Sequence, residues 1–413
     1  MKQNAIIAVA VVAVLVIAGA AVVLTMDNGK GGDSEWDPSK DFAGYTIKPV
    51  ENFDNGIVAI GQDAFRWMTY FGVADKCVMV DLNDKTNYMG KAFMYVGKGQ
   101  ALEANSDLQY GVGNCMIQPA DVRTILDLKP SLVVVPAEFE NNYPNEMKSL
   151  RESGLNVFHL AYLYNFLENG SFETIDVFDR QIDALGTVLG KEDRASDLKN
   201  VINSTVQDIL SIRENVTEKR TGYIGAVAYN GAHGVDSSIA YYLPFELAGI
   251  TNILSEDAIG ADKSSHVGTY SATYIKENMK DDTILFIDGT GAYTCTTNTD
   301  KGIMELFKGH EAYIACPYIW TGINYENVLV GAYQILHDVY GLLSDEEFKA
   351  KANAVYEGFL GTSESLRSES ASGIGVVEGG ISVYDDMNHM YEERRGNPIH
   401  GAISVSEDGI VYL

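Results

Sequence analysis

The residues of this sequence that could bind a ligand are mostly aromatic. The chain has 24 Tyr, 15 Phe and 3 Trp, and a Tyr or Trp ring presents a rigid apolar face with one polar group at its edge. Such a set suits a planar or macrocyclic metal complex whose rim carries carbonyl or amide groups. Eight candidate ligand-binding residues follow short runs that predict strands: Arg66, His159, Tyr162, Tyr164, Tyr229, His233, Tyr318 and Trp320.

Direct binding of a bare metal ion is less favoured by the sequence. A transition metal needs about three or four His, Asp or Glu ligands that converge on one point. The chain has 7 His and no HxH or HExxH motif, although His159 and His233 are expected at facing strand ends. We therefore predict no metal site and no intrinsic cofactor, and we expect a metal chelate as the ligand. A free metal ion is the alternative.

Catalytic motifs such as GxSxG, GxxxxGK[ST] and GxGxxG do not occur in the sequence. We predict no catalytic residue, and a surface enzyme on a nitrogenase-like two-lobed fold or a structural surface protein remains an alternative. The four cysteines have no CxxC spacing. Cys295 and Cys316 follow two predicted strands and could form a disulfide in an oxidising exterior, or could equally remain thiols.

Acidic residues outnumber basic residues by a wide margin. The chain has 57 Asp and Glu against 30 Lys and Arg, which gives a formal net charge of −27. A field of this sign repels polyanions. Nucleic acid is therefore not an expected partner.

Residues 5–24 form an uncharged apolar run that is long enough to cross a membrane. A helix of this length rises about 30 Å, the thickness of the hydrocarbon layer. Lys2 precedes the run and Asp27 follows it, so the positive-inside rule places residues 27–413 outside the cytoplasm. The run is longer than the core of a typical signal peptide. We predict an uncleaved anchor in the cytoplasmic membrane, with a cleaved signal segment as the alternative.

Secondary-structure elements must position these candidate residues. Along the chain, β-branched runs alternate with amphipathic stretches. This alternation predicts βαβ units around mostly parallel sheets. Between residues 172 and 213 the pattern changes to long amphipathic helices, where sequons at Asn169, Asn203 and Asn215 mark exposed surface. The predicted strands are 57–60, 77–80, 132–135 and 157–160 before this connector, and 223–228, 283–287 and 312–315 after it.

We predict an α/β protein of two Rossmann-like lobes joined by a long linker helix. Ligands of open α/β sheets bind beyond the carboxyl ends of the strands, so the ligand cleft is expected between the lobes. The predicted division is 1–26 anchor or signal segment, 27–53 flexible spacer and lead-in, 54–171 N-terminal lobe, 172–213 helical linker, 214–363 C-terminal lobe, and 364–413 extension of unknown role.

Several segments together resemble class III substrate-binding proteins of ABC importers, the group that binds iron siderophores, haem and vitamin B12. The segment VGNCMIQPADVRTILDLKPSLVVVP at residues 112–136 is the most specific of them. LGTVLGKEDRA at 185–195 resembles the linker-helix signature, and PYIWTGINYENVLVGAYQILHDVY at 317–340 resembles archaeal members. The similarity covers residues 54–360, with the segments in the family's order.

The resemblance implies an extracytoplasmic protein that binds an iron complex of siderophore, haem or corrinoid type between its lobes. It also implies only slight closure of the lobes and delivery of the ligand to a permease with its ATPase. Permease arginines in this family meet one glutamate on each lobe, and by position Glu146 and Glu246 are similar to those docking residues.

Overall fold

The computed structural model describes residues 37–84, 107–163, 165–228, 234–254, 267–295, 301–319, 322–361, 400–406 and 409–413. The predicted anchor lies outside these residues. So do four of the eight candidate ligand residues, Tyr164, Tyr229, His233 and Trp320. Among the helices that are described, none is long and apolar enough to cross a membrane.

The first lobe is a five-stranded parallel sheet flanked by helices. Its strands lie in the order β3-β2-β1-β4-β5, and β4 is buried along its whole length, as expected for a parallel strand covered on both faces. The strands are β1 (Ile57–Ala59), β2 (Cys77–Val80), β3 (Gln109–Tyr110), β4 (Leu132–Pro136) and β5 (Val157–Leu160). The helices are α1 (Ala64–Tyr70), α2 (Pro119–Leu128), α3 (Phe139–Asn142) and α4 (Pro144–Glu152).

Two helices, not one, connect the lobes. Helix α5 (Asp176–Leu189) ends at Gly190, whose φ of 61° is the left-handed conformation that closes many helices. Helix α6 (Glu192–Arg213) follows at once and packs along α5. A Cβ on Gly186 of α5 would lie 2.9 Å from Cβ of Ala195 on α6, so the glycine permits this close approach.

The second lobe is built on a six-stranded sheet of order β13-β12-β11-β10-β6-β8. Strands β8, β6, β10 and β11 are parallel, whereas β12 and β13 run antiparallel to their neighbours. The described end of the C-terminal extension thus joins this sheet. The six strands of this sheet are β6 (Thr221–Gly225), β8 (Thr251–Asn252), β10 (Ile284–Asp288), β11 (Ala312–Ala315), β12 (Gly401–Ser406) and β13 (Gly409–Tyr412). Strands β7 (Ser237–Ile239) and β9 (Val267–Thr269) form a separate two-stranded antiparallel sheet.

The helices of the second lobe include the two longest amphipathic stretches after the connector. In the sequence, Ser344-x-x-Glu347 has the spacing of a capping box. Helix α12 begins with that box: the Ser344 hydroxyl accepts from the backbone N–H of Glu347, and the Glu347 carboxylate accepts from the backbone N–H of Ser344. The helices are α7 (Leu243–Ala248), α8 (Ala272–Asn278), α9 (Ala292–Cys295), α10 (Lys301–Leu306), α11 (Tyr325–Asp338) and α12 (Asp345–Leu360).

The predicted two-lobed α/β fold is confirmed. The four predicted strands of the first lobe are present within one residue of their expected limits. The run at 223–228 forms a strand only to Gly225, because Ala226 adopts a φ of 60° and leaves the extended conformation. The three sequon asparagines are exposed, as predicted.

One hydrophobic cluster runs through both lobes and the connector. It contains Ile57 and Trp67 from the first lobe, Leu198 from α6, and Tyr325 and Phe359 from the second lobe. The lobes therefore share a packed junction in addition to their covalent link.

Candidate functional site

This fold can hold a ligand at the carboxyl ends of the parallel strands of its two sheets. Two helices that follow such strands contact each other across the lobes. Helix α1 follows β1, and helix α11 begins at Tyr325, after the loop that follows β11. The ring of Trp67 on α1 lies 5.6 Å from that of Tyr325. Phe166 and Phe178 lie 5.3 Å and 5.2 Å from the same tyrosine ring. Aromatic packing of this kind holds the lobes together.

Charged side chains are buried in the same junction. Arg66 donates from Nε to Oδ1 of Asp63 at 2.8 Å, and from Nη1 to Oδ1 of Asn324 across the two lobes. Tyr70 donates its hydroxyl to the Glu326 carboxylate, again across the lobes. All five side chains are almost inaccessible to solvent. Such groups need one another, because an ion left alone in the interior costs several kcal/mol.

The junction has two acids for one guanidinium. Burial raises the pKa of Asp63 to about 6, although Arg66 acts in the opposite direction. Burial also raises the pKa of Glu326, again against the effect of Arg66. The junction therefore holds a proton more tightly than an exposed carboxyl would.

Carboxylates and a thiol gather where the strands of the first sheet end. Burial raises the pKa of Glu138, which follows β4, to about 7, and the charge of Asp63 adds to the shift. Burial, together with Asp81 and Asp84 after β2, raises the pKa of Cys115 well above its usual value. The thiol therefore stays protonated at neutral pH.

The loop that carries this cysteine has an uncommon backbone. Gly113, Asn114 and Cys115 follow one another with φ angles of 82°, 58° and 51°. Side-chain-bearing residues seldom adopt this region, and such strain is concentrated at binding and catalytic sites. Neither Cys115 nor Glu138 was among the ligand candidates selected from the sequence. The VGN motif just before the cysteine was the signal that could have found the loop.

A model of the family described as "Periplasmic binding protein" matches residues 57–313, which is more than half of the chain. The chain belongs to the periplasmic binding protein family. The match confirms the resemblance seen in its motifs, and membership of a family of solute-binding proteins implies an extracytoplasmic location. A search among curated proteins found no significant match.

Solved structures share the fold of this periplasmic binding protein at low sequence identity. The TroA-like binding protein FepB from Veillonella parvula is 15% identical with a TM-score of 0.52, and the alignment covers 78% of this chain and 95% of that one. MolA from Haemophilus influenzae, solved with molybdate bound, is 14% identical with a TM-score of 0.54, and 78% and 97% are covered. A solute-binding protein from Veillonella parvula is 16% identical with a TM-score of 0.53, and 78% and 92% are covered.

Three of the eight candidate ligand residues lie in the interior of the binding protein. Arg66, His159 and Tyr318 are at most 1% exposed, and each contacts other residues of the protein. Tyr318 packs on Tyr242 with ring centroids 4.8 Å apart. Tyr162, in the loop after β5, is half-buried and stays a ligand prediction.

His159 links the lead-in segment to the first lobe. Its Nδ1 lies 2.6 Å from Oδ2 of Asp41, and its Nε2 lies 2.8 Å from Oε1 of Glu140. Arg151 pairs with the same glutamate, and the ring of Tyr45 lies 5.2 Å from the imidazole. The strand-end position suggested a ligand contact, but both ring nitrogens face carboxylates of the protein. The described part of the lead-in, residues 37–53, is thereby packed against the lobe.

The described residues contain no disulfide and no cluster of side chains that could hold a metal ion. All four cysteines are described, and none is joined to another. Cys295 lies in a core cluster built from the second lobe alone, whereas Cys316 lies in the cluster that spans the lobes. Within the described residues, no group of three or more His, Cys, Asp or Glu is arranged to hold a metal ion.

The two predicted docking glutamates occupy similar positions in the two lobes. Glu146 lies in the first turn of α4 and Glu246 in the first turn of α7, each two residues after a proline. Both side chains are half-buried. Burial raises the pKa of Glu246, and Arg213 opposes the shift.

Proposed function

We propose that this binding protein captures an iron complex of siderophore, haem or corrinoid type and delivers it to the permease of an ABC importer. The observation that carries the proposal is one parallel and one mainly parallel sheet joined by a helical connector, in a chain whose residues 57–313 match the family. On each lobe the carboxyl ends of the parallel strands form one edge of the sheet, and we place the ligand crevice between these two edges.

The charges at the strand ends disfavour a small oxyanion such as molybdate. Asp81 and Asp84 follow β2, and the charges of both act on the nearby Cys115. Buried carboxylates such as these repel a nearby anion more strongly than they would in water. MolA, which was solved with molybdate bound, shares the fold. Because of these charges, we propose that this chain binds a different class of ligand.

The N-terminal segment completes the proposed location. We propose that residues 5–24 anchor the protein in the cytoplasmic membrane, so that residues 27–413 work outside it. The family supports the extracytoplasmic location, and the apolar run supports the anchor.

Native mass spectrometry with visible absorption tests the ligand class. The ectodomain, residues 27–413, is purified without added ligand and searched for a bound chromophore, then titrated with ferric ferrichrome, haemin, cyanocobalamin, molybdate and Fe³⁺ alone. We expect micromolar or tighter binding of one of the three complexes. Binding of molybdate or Fe³⁺ alone, with none of the complexes bound, would overturn the proposal.

A further inference from the structure

The loop that follows β11 closes on itself through backbone and amide contacts. The backbone N–H of Asn324 donates to the Tyr318 carbonyl at 2.9 Å. The side-chain Nδ2 of Asn324 donates to the Pro317 carbonyl, also at 2.9 Å. Ile319 and Ile323 form an antiparallel bridge inside the same loop. We call the described residues 317–319 and 322–324 the β11 loop. It lies at the carboxyl end of the sheet, on the side where the ligand is proposed to bind.

Two side chains of the first lobe contact the β11 loop. The guanidinium of Arg66 donates to Oδ1 of Asn324, the residue that closes the loop. The Asp63 carboxylate, which holds Arg66, lies against the backbone of Gly322, where a Cβ would be 2.0 Å from its Oδ1. Asp63 itself adopts a left-handed φ of 60° to reach this position.

We propose that Asp63 and Arg66 are positioning residues, which hold the β11 loop of the second lobe in shape from the first lobe. Both side chains are buried, so in this proposal they act on the loop and do not bind the ligand. The β11 loop keeps its conformation only while the lobes keep this relative orientation. The orientation of the lobes and the shape of the β11 loop, which borders the proposed ligand site, are therefore coupled. The inference rests on the proposed function only in taking this edge as the ligand side.

Hydrogen exchange of the ligand-free ectodomain, followed by mass spectrometry of peptides covering residues 317–324, tests the contact directly. In Arg66→Met we expect exchange of this loop to accelerate by about tenfold or more, because the Asn324 side chain loses the donor that holds it and the loop opens more often. Arg66→Lys keeps one donor and should give an intermediate rate. Because no ligand is used, the result does not depend on the proposed function.

Arg194→Met is the matched control. This arginine also joins the lobes, since it donates to the carbonyls of Tyr70 in α1 and of Gly358 and Phe359 in α12, but it does not contact the loop. It should accelerate exchange at the end of α12 and leave residues 317–324 unchanged. Equal acceleration of the loop in both variants would mean general loosening and would overturn the proposal.

Gly322→Ala provides an independent variant if Arg66→Met fails to fold. Its methyl group must displace the Asp63 carboxylate, so the loop should exchange faster. Gly401→Ala is matched to it, since Gly401 has a φ of 138°, close to the 141° of Gly322, but a Cβ there would meet no atom within 4 Å. An unchanged loop in Gly322→Ala would refute the role of Asp63.

Discussion

Asp63 combines three demands in one side chain: it pairs with Arg66, lies against Gly322, and is buried. The sequence offers no sign of these demands, because the partner across the lobes is Asn324, 258 positions beyond Arg66. An aspartate after a predicted strand is equally compatible with an exposed turn.

Asp63 makes the stability of the protein dependent on pH. Its folded-state pKa of about 6 lies above the unfolded value of 3.8, so the folded protein keeps a proton that the unfolded chain releases. The stabilisation of the fold by this bound proton is therefore complete below pH 4, and it is lost as the pH rises to 6. We expect unfolding by urea to show a decline of up to about 3 kcal/mol over this range that is absent in Asp63→Asn. Parallel pH profiles of the two proteins would contradict the assignment.

The helices that cross the junction depend on small residues. A Cβ on Gly358 of α12 would lie 2.6 Å from Cγ1 of Val201 on α6, so the two helices approach closely at this point. The amphipathic patterns of both helices are visible in the sequence, but a glycine near the end of a helix gives no indication of which helix it faces.

Gly358→Ala should therefore destabilise the protein by about 1–3 kcal/mol through overpacking. Val201→Ala removes the opposing methyl groups, and in the double variant the loss should be smaller than the sum of the two single losses. Urea denaturation monitored by circular dichroism gives these values. Gly302→Ala in α10 is the control, because a Cβ there would have its nearest atom 3.7 Å away, and it should be neutral or stabilising by up to about 1 kcal/mol. Additive losses would show that the helices do not touch there.

At the scale of the molecule, the continuous core through both lobes resists a large change of their angle. Helical connectors bend less readily than extended strands, and the aromatic and ionic contacts of the junction would have to be broken as well. The resemblance implied slight closure on the family's behaviour alone. The junction supplies a physical reason for it in this chain.

The docking role predicted for Glu146 and Glu246 depends on the two lobes keeping their spacing. Glu146→Arg together with Glu246→Arg should abolish the stimulation of ATP hydrolysis by the cognate importer in nanodiscs, because like charges would face the permease arginines. Ligand affinity should be unchanged. Glu152→Arg with Glu277→Arg, one exposed glutamate from each lobe, should leave the stimulation intact. Loss of ligand affinity in the first pair would refute the docking assignment.

The sequence by itself determined the two α/β lobes, their helical connector, the limits of most of the seven strands that it predicted, and the capping box at Ser344, because these follow from hydrophobic periodicity and local hydrogen bonding. It did not predict the other six described strands, β3, β7, β8, β9, β12 and β13. Only the tertiary structure decided that Arg66 and His159 are buried and paired with Asn324 and Asp41. Their environment depends on residues distant in the chain, and a side chain that follows a strand can face a cleft or the interior with the same local pattern.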